Sequence, residues 1–171
     1  MTESLDALAT WVQATTLSQA FQAQVEWLWP LCESLHFLAL CILIGAAGLF
    51  DLRLLGLVRG LSVETAHRFI PWAKGAFAVS TATGIVFLVS QPYQYATNLS
   101  MWFKVLFLIV AGANAAIYEF VYSHRLRHLP PDADPPLAAK VIGGLSLVSW
   151  FAVLYFGRMI PYLVPDPTSG V

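Results

Sequence analysis

A histidine and a lysine stand inside the apolar stretches of this sequence, where ionisable side chains are expensive. His36 lies about 9 Å along a helix that begins near Pro30, at about 1.5 Å per residue. Lys104 lies near the beginning of a later apolar stretch, and Arg158 and Met159 lie near the end of the last one. Because successive membrane helices alternate in direction, these side chains are predicted to share one depth.

Those four side chains match the requirements of a b-type haem. Such a haem needs an axial imidazole, a slot between helices, and cationic groups for its propionates. His36 would be the axial iron ligand, and Lys104 and Arg158 would hold the propionates. Met159 or Lys104 would complete the iron coordination. The sequence therefore predicts a redox protein that binds haem b and either transfers electrons or oxidises a small substrate.

Other interpretations of the same residues remain open. His36 could instead hydrogen-bond Glu33 or a neighbouring backbone group, and Lys104 could extend to the headgroup region. A copper-handling or transport protein would use His36, Cys41 and Met159 as soft ligands. Cys41 is five residues from His36, about 140° around the helix, so convergence would need other elements. The third possibility is a structural subunit of a larger membrane complex.

Three further histidines fall near the opposite ends of the helices: His67, His124 and His128. They are interpreted as solvated loop residues rather than metal ligands. Asp51 and Glu119 lie at a comparable depth, and they are predicted to pair with Arg53 or Arg125. This end of the molecule is therefore expected to be structural.

The elements that must position these residues are apolar helices. The chain has 171 residues, of which 58% are hydrophobic and 11% charged, whereas about a quarter are charged in a soluble domain. Crossing a hydrocarbon layer of about 30 Å takes about 20 apolar residues, and stretches of this length recur at 31–50, 69–90, 101–123 and 138–162. The predicted fold is an all-α integral membrane bundle of four transmembrane helices. The net charge of −1 gives no indication of nucleic-acid binding.

The distribution of basic residues predicts the orientation. Seven of the nine lysines and arginines flank the first and third connections, and the first 52 residues contain none. Cytoplasmic loops carry the excess of lysine and arginine. The connections around 51–68 and 124–137 are therefore predicted to be cytoplasmic, and both termini and the 91–100 connection to be extracytoplasmic.

Three segments are predicted along the chain. Residues 1–29 have helical amphipathic spacing and lack the features of a signal peptide, so they are expected to lie on the outer membrane surface. Residues 30–163 form the transmembrane domain, and 164–171 form an extracytoplasmic tail. Asn114 is expected to hydrogen-bond across the bundle, and small residues to allow close helix approach. Membrane lipid is the expected contact, with a homo-oligomer or a membrane partner left open.

Two motifs resemble those of known membrane proteins. The first runs through the first apolar stretch: Leu35-His36-Phe37-Leu38-Ala39-Leu40, then Gly45-Ala46-Ala47-Gly48-Leu49-Phe50-Asp51-Leu52-Arg53-Leu54-Leu55-Gly56. The second opens the third stretch: Trp102-Phe103-Lys104-Val105-Leu106. Across its four helices the chain resembles an uncharacterised bacterial family of small four-helix membrane proteins, which implies the bacterial inner membrane.

More distantly, the chain is similar to the copper-resistance protein D type and to the small membrane protoporphyrinogen oxidases of haem synthesis. The oxidases bind haem b and have a histidine in the first helix and a lysine opening the third. The resemblance implies these roles for His36 and Lys104. After Phe50, however, the Asp-Leu-Arg-Leu-Leu-Gly sequence replaces the Tyr- and Arg-containing exit of the oxidases, and the 1–29 segment is additional. The resemblance therefore implies haem binding, whereas these departures argue against carrying over the porphyrinogen reaction.

Overall fold

The computed structural model describes residues 7, 10–16, 18–19, 27–126 and 129–163. Its main elements are four long helices: α1 (Leu28–Leu54), α2 (Ile70–Ser90), α3 (Leu99–Ile117) and α4 (Leu137–Met159). With their continuations, all four are long and apolar enough to cross a membrane. The predicted all-α four-helix membrane bundle is confirmed, and the chain has the architecture of a multi-pass membrane protein.

The helices lie in the order α2, α1, α4, α3. Helix α1 packs on both α2 and α4, and α3 packs on α4. Among the described residues α2 and α3 share no comparable interface. Successive helices run in opposite directions, which gives the bundle two ends. We call them the His36 end, where α1 and α3 begin, and the Arg53 end, where α1 finishes.

Small residues and outward-facing apolar residues explain this packing. The buried face of α1 includes Ala39, Ala46 and Ala47, and alanines of α2 face it. By contrast, Phe120 is 87% exposed and Phe151 is 65% exposed. Such a surface suits hydrocarbon, and close approach of small residues replaces the hydrophobic effect between membrane helices.

Helices α1 and α4 cross closely at Gly143. A Cβ atom added to Gly143 would lie 2.7 Å from the backbone oxygen of Asp51 and 3.0 Å from Cβ of Leu54. Only glycine fits at this crossing. Nearby, Asn114 of α3 donates from Nδ2 to the carbonyl of Ile142 at 3.0 Å, which confirms the predicted hydrogen bond across the bundle.

The connections are held by polar side chains. Asn98 accepts from the backbone N–H of Ser100 and donates from Nδ2 to the carbonyls of Ile160 and Leu163. It therefore caps α3 and ties its beginning to the end of α4. A short helix, Val63–His67, precedes α2 and is capped by Ser62. Helix α3 continues through a π-helical turn, Tyr118–Tyr122, into Ser123–Leu126.

Much of the predicted surface segment 1–29 lies outside the described residues, as does all of the predicted tail 164–171. In the described part, residues 10–13 are helical. The hydroxyl of Ser18 is buried and donates to the carbonyl of Val89 at 3.1 Å. This contact places that part of the N-terminal segment at the His36 end of the bundle.

Candidate functional site

His36 lies on the buried face of α1 and reaches across to α2. Its side chain is 8% exposed, and its Nδ1 atom lies 2.8 Å from Oγ1 of Thr83. The carbonyl of Ser80 also faces the imidazole as a hydrogen-bond acceptor. The histidine is therefore fixed by the neighbouring helix and not by Glu33.

The environment of the Thr83 hydroxyl selects one tautomer of His36. Oγ1 of Thr83 lies 2.9 Å from the carbonyl of Val79 and 3.0 Å from that of Ser80, and both are acceptors. Since a hydroxyl has one proton, Thr83 uses it within its own helix and accepts a hydrogen bond from Nδ1–H. In a neutral imidazole this leaves the lone pair on Nε2, the nitrogen available for a ligand.

Aromatic rings and a glycine complete the surroundings of the imidazole. The ring centroid of Phe87 lies 5.5 Å from that of His36, and Trp29 packs on Phe87 at 5.0 Å. Gly84 of α2 faces the ring edge, where even a methyl group would lie 3.7 Å from Cε1 of His36. The imidazole is thus held in a mainly apolar environment, with Thr83 as its hydrogen-bonding side chain.

Lys104 approaches the same region from α3. Its half-buried side chain lies against Gly157 of α4, with Nζ 3.5 Å from the place where a Cβ would stand. It is within electrostatic range of His36. Beside it, Phe103 stacks on Phe156 with ring centroids 4.9 Å apart. Among the described residues, the ammonium group makes no hydrogen bond or ion pair.

The other two predicted site residues are placed differently. Arg158 is exposed; its Nη2 lies 3.3 Å from the hydroxyl of Tyr162, and its guanidinium lies over that ring, 5.5 Å from the centroid. Met159 is half-buried at the end of α4. The structure therefore places Lys104 within electrostatic range of His36, whereas the Arg158 side chain turns to the surface.

The copper ligand set suggested by the sequence does not converge in this way. Cys41 is exposed, whereas His36 is buried on another face of α1. Cys32, four residues before His36, is the cysteine on the buried face. The described part of the chain contains no group of three histidine, cysteine or acidic side chains arranged to hold a metal ion.

At the Arg53 end, the predicted pairing of Asp51 with Arg53 is wrong. The Arg53 guanidinium is buried and donates to backbone carbonyls of the first and third connections: those of Leu61, Pro130, Pro131 and Ala133. These loop carbonyls lack partners within regular structure, so they compete successfully for the donors. Asp51 instead faces Ser146 of α4.

The histidines at this end are only partly the solvated residues that the sequence suggested. His67 is half-buried, and its Nε2 lies 3.6 Å from Oε2 of Glu119. It packs against Phe50 and Tyr118, with ring centroids 6.0 and 6.2 Å away. His124 is exposed, and His128 lies outside the described residues.

Sequence reasoning missed Thr83, which hydrogen-bonds His36, and Gly157, against which the Lys104 side chain lies. A signal for Thr83 was present, because Ser80 and Thr83 are three residues apart and so share one face of an apolar helix. Gly157 had no such signal. In sequence, a glycine that lies beside a lysine of another helix cannot be distinguished from any other glycine at a helix contact.

Chemically, the site offers a buried imidazole lone pair and a nearby ammonium group. This combination suits a cofactor that presents both a metal centre and an anionic group. Comparisons of the chain with protein-family models, with curated proteins and with solved structures found no match.

Proposed function

We propose that this protein binds a b-type haem through His36 and acts as a membrane redox protein. The observation that carries the proposal is the hydrogen bond between Nδ1 of His36 and Oγ1 of Thr83, 2.8 Å apart. A metal-binding histidine is almost always oriented by such a bond at its second nitrogen. The bond would orient the imidazole so that Nε2 could hold the haem iron.

The surrounding residues fit such a group. Lys104 supplies a cation for a propionate, and its lack of a described ionic partner leaves it available for one. The aromatic side chains Phe87 and Phe103 suit the faces of a macrocycle. Because α2 and α3 share no extensive described interface, that side of the bundle is where a flat cofactor would enter. Arg158 lies at the same end and is proposed as an interfacial contact for the second propionate.

When bound, the haem supplies one-electron chemistry. The chain contributes binding, orientation and exclusion of water. Thr83 holds the imidazole tautomer, Phe87 shields the ring from solvent, and Lys104 balances negative charge in a medium of low dielectric constant. Burial and axial ligand identity set the potential of such a centre. We propose electron transfer or oxidation of a small substrate, without assigning a porphyrinogen reaction.

The proposed location of this chemistry is the extracytoplasmic side of a bacterial inner membrane. Exposed Arg59 and Arg68 and half-buried Lys140 lie at the Arg53 end, and the lysine and arginine excess of membrane proteins is cytoplasmic. Both termini and the His36 end would then face outwards. Cysteine labelling with a membrane-impermeant reagent at introduced sites in the 124–137 connection tests this orientation.

The deciding experiment is a reduced-minus-oxidised absorption spectrum of protein purified in detergent from haem-replete cells. The wild type is expected to show a b-type spectrum, which His36→Ala abolishes. His124→Ala is the matched control, because it removes an exposed histidine at the opposite end, and it should retain the spectrum. Lys104→Met should retain haem with a weakened affinity.

A colourless wild-type protein would overturn the proposal, as would a His36→Ala variant with an unchanged spectrum. Helical content measured by circular dichroism separates loss of haem from loss of fold. A spectrum lost in both histidine variants would contradict the assignment of His36 as the particular ligand.

A further inference from the structure

A second buried ionisable group lies at the other end of the bundle, at Asp51. Its side chain is 3% exposed, within the close crossing of α1 and α4. The hydroxyl of Ser146 on α4 faces the carboxyl as a hydrogen-bond donor. Among the described residues, Oδ2 of Asp51 is buried and has no hydrogen-bond partner.

The charged groups around Asp51 are engaged elsewhere. Arg53, two residues along α1, donates to loop carbonyls. Lys140 of α4 donates to Oδ2 of Asp134 at 2.7 Å. On the short helix before α2 and on the π-helical turn of α3, His67 and Glu119 contact each other. None of these described cations binds the Asp51 carboxyl.

A buried carboxylate without a cationic partner is far less stable than the neutral acid, because its charge has lost the solvation of water. Ser146 alone offers one hydrogen bond, which cannot replace that solvation. Gly143 brings the backbone of α4 so close that the crossing leaves little space for an additional side chain. The neutral carboxylic acid is therefore the form that this interface accommodates.

We propose that Asp51 is a proton-binding site of the membrane domain, which exchanges protons with the aqueous phase at the Arg53 end. The exchange is a simple acid dissociation: the carboxyl O–H bond breaks, the proton passes to water, and the carboxylate keeps the electron pair. Asp51 lies three residues before the end of α1, and the Arg53 end is therefore the nearer end of the bundle for proton exchange. The ligand is the proton itself, and two oxygen-bearing side chains are too few for a metal cation.

Asp51 and His36 are separated by 15 residues, about 22 Å along α1 at about 1.5 Å per residue. Protonation of Asp51 is therefore independent of whether haem binds at His36. The two proposals also have separate measurements. Proton binding at Asp51 is measured by an infrared band, and haem binding at His36 by a visible absorption spectrum.

Infrared spectroscopy of the full chain in lipid at neutral pH tests this site. The wild type is expected to show the carbonyl stretching band of a protonated carboxylic acid, and Asp51→Asn to lose it. Asp134→Asn is the matched control: Asp134 is exposed and bound to Lys140, so this variant should keep the band. Absence of the band from the wild type would overturn the assignment, as would its persistence in Asp51→Asn.

A second measurement covers the case in which Asp51→Asn does not fold. Wild-type protein that carries carbon-13 in its aspartate carboxyl groups should show the band at a lower frequency. In the Asp51→Glu variant, the same label should leave the acid band unshifted, because the protonated group is then glutamate. A band that ignores the label in the wild type would exclude Asp51 as its source.

Discussion

Arg53 and His36 lie at opposite ends of this bundle, and their hydrogen-bonding groups are used in opposite ways. At the Arg53 end, the guanidinium of Arg53 is surrounded by backbone carbonyls and its donors are used by the protein itself. At the His36 end, Nδ1 of the imidazole contacts Thr83, and the tautomer favoured by the carbonyls around the Thr83 hydroxyl leaves a lone pair on Nε2. Lys104 has no hydrogen-bond or ionic partner among the described residues. Arg53 is therefore a structural joint between the connections, whereas His36 and Lys104 retain binding capacity.

This difference separates structural from functional polar groups in a membrane protein. An unsatisfied group costs several kcal/mol where water is absent. A structural residue such as Arg53 recovers that cost through its own hydrogen bonds. A residue such as Lys104 recovers this free-energy cost only through water or a ligand. Unused hydrogen-bonding capacity, and not charge alone, therefore points to a binding site.

The largest effect is expected from Arg53→Met, which keeps the apolar stem and removes the guanidinium. Carbonyls of both the first and third connections then lose their donor. Leaving a buried acceptor without its hydrogen-bond partner costs about 1 to 3 kcal/mol, and more than one carbonyl loses its donor here. Unfolding in a denaturing detergent, followed by circular dichroism, should show this decrease in stability.

Arg59→Met is the control for that variant, since Arg59 is exposed in the same connection. Its stability should stay within about 0.5 kcal/mol of the wild type. If Arg53→Met were equally harmless, the structural interpretation of the Arg53 end would fail. In the fraction of Arg53→Met that remains folded, the b-type absorption spectrum proposed for the wild type should be unchanged.

A smaller effect is expected from Thr83→Val, which preserves volume and removes the hydroxyl that orients His36. Loss of such an orienting partner typically lowers metal affinity by about 10- to 100-fold. Haem titration followed by absorbance should therefore show at least a tenfold weaker affinity. The valine also removes the acceptor at Nδ1, so the imidazole is free to change tautomer.

Thr81→Val is the matched control, because Thr81 is exposed on the same helix. It should leave haem affinity unaltered. Nitrogen NMR of labelled histidine reports the tautomer even without haem, and it should show Nδ1 protonated in the wild type and in Thr81→Val. An unchanged tautomer and affinity in Thr83→Val would contradict the role given to Thr83.

The sequence predicted the helices well, since twenty-residue apolar stretches leave few alternatives in a membrane. It also predicted that His36 and Lys104 share one depth, because successive membrane helices alternate in direction. It could not predict which way Arg158 turns. A residue next to Gly157 lies about 100° around the helix from it, and that rotation depends on which face of α4 meets α3.

The partners of Arg53 were also beyond what the sequence could predict. A comparable depth in the membrane suggested that Asp51 and Glu119 pair with Arg53 or Arg125. Residues two apart on a helix do not face each other. The carbonyls that bind Arg53 come from Leu61 in the first connection and from Pro130 and Pro131, which lie 77 and 78 residues later in sequence. Partners supplied by loop backbone leave no side-chain pattern that a single sequence would reveal.

The smallest predicted effect concerns the exposed pair that borders the Arg53 end. The Lys140 ammonium, 2.7 Å from Oδ2 of Asp134, lowers the pKa of this carboxyl below its ordinary value of 3.8. A lowered pKa in the folded state means that the pair adds stability above the ordinary pKa and that this contribution is lost as the pH falls through the folded value. Exposed pairs contribute little, so only the acid limb of the stability profile should change.

Asp134→Asn removes the titrating group and keeps the shape of the side chain. Compared with the wild type, it should be slightly less stable at neutral pH and equally stable at a pH well below 3.8. Asp132→Asn, an exposed neighbour in the same connection, is the control and should follow the wild-type profile. A constant difference between Asp134→Asn and the wild type at every pH would mean that Asp134 acts through loop geometry beside Gly56, where its Oδ1 lies 3.1 Å from an added Cβ, and not through its charge.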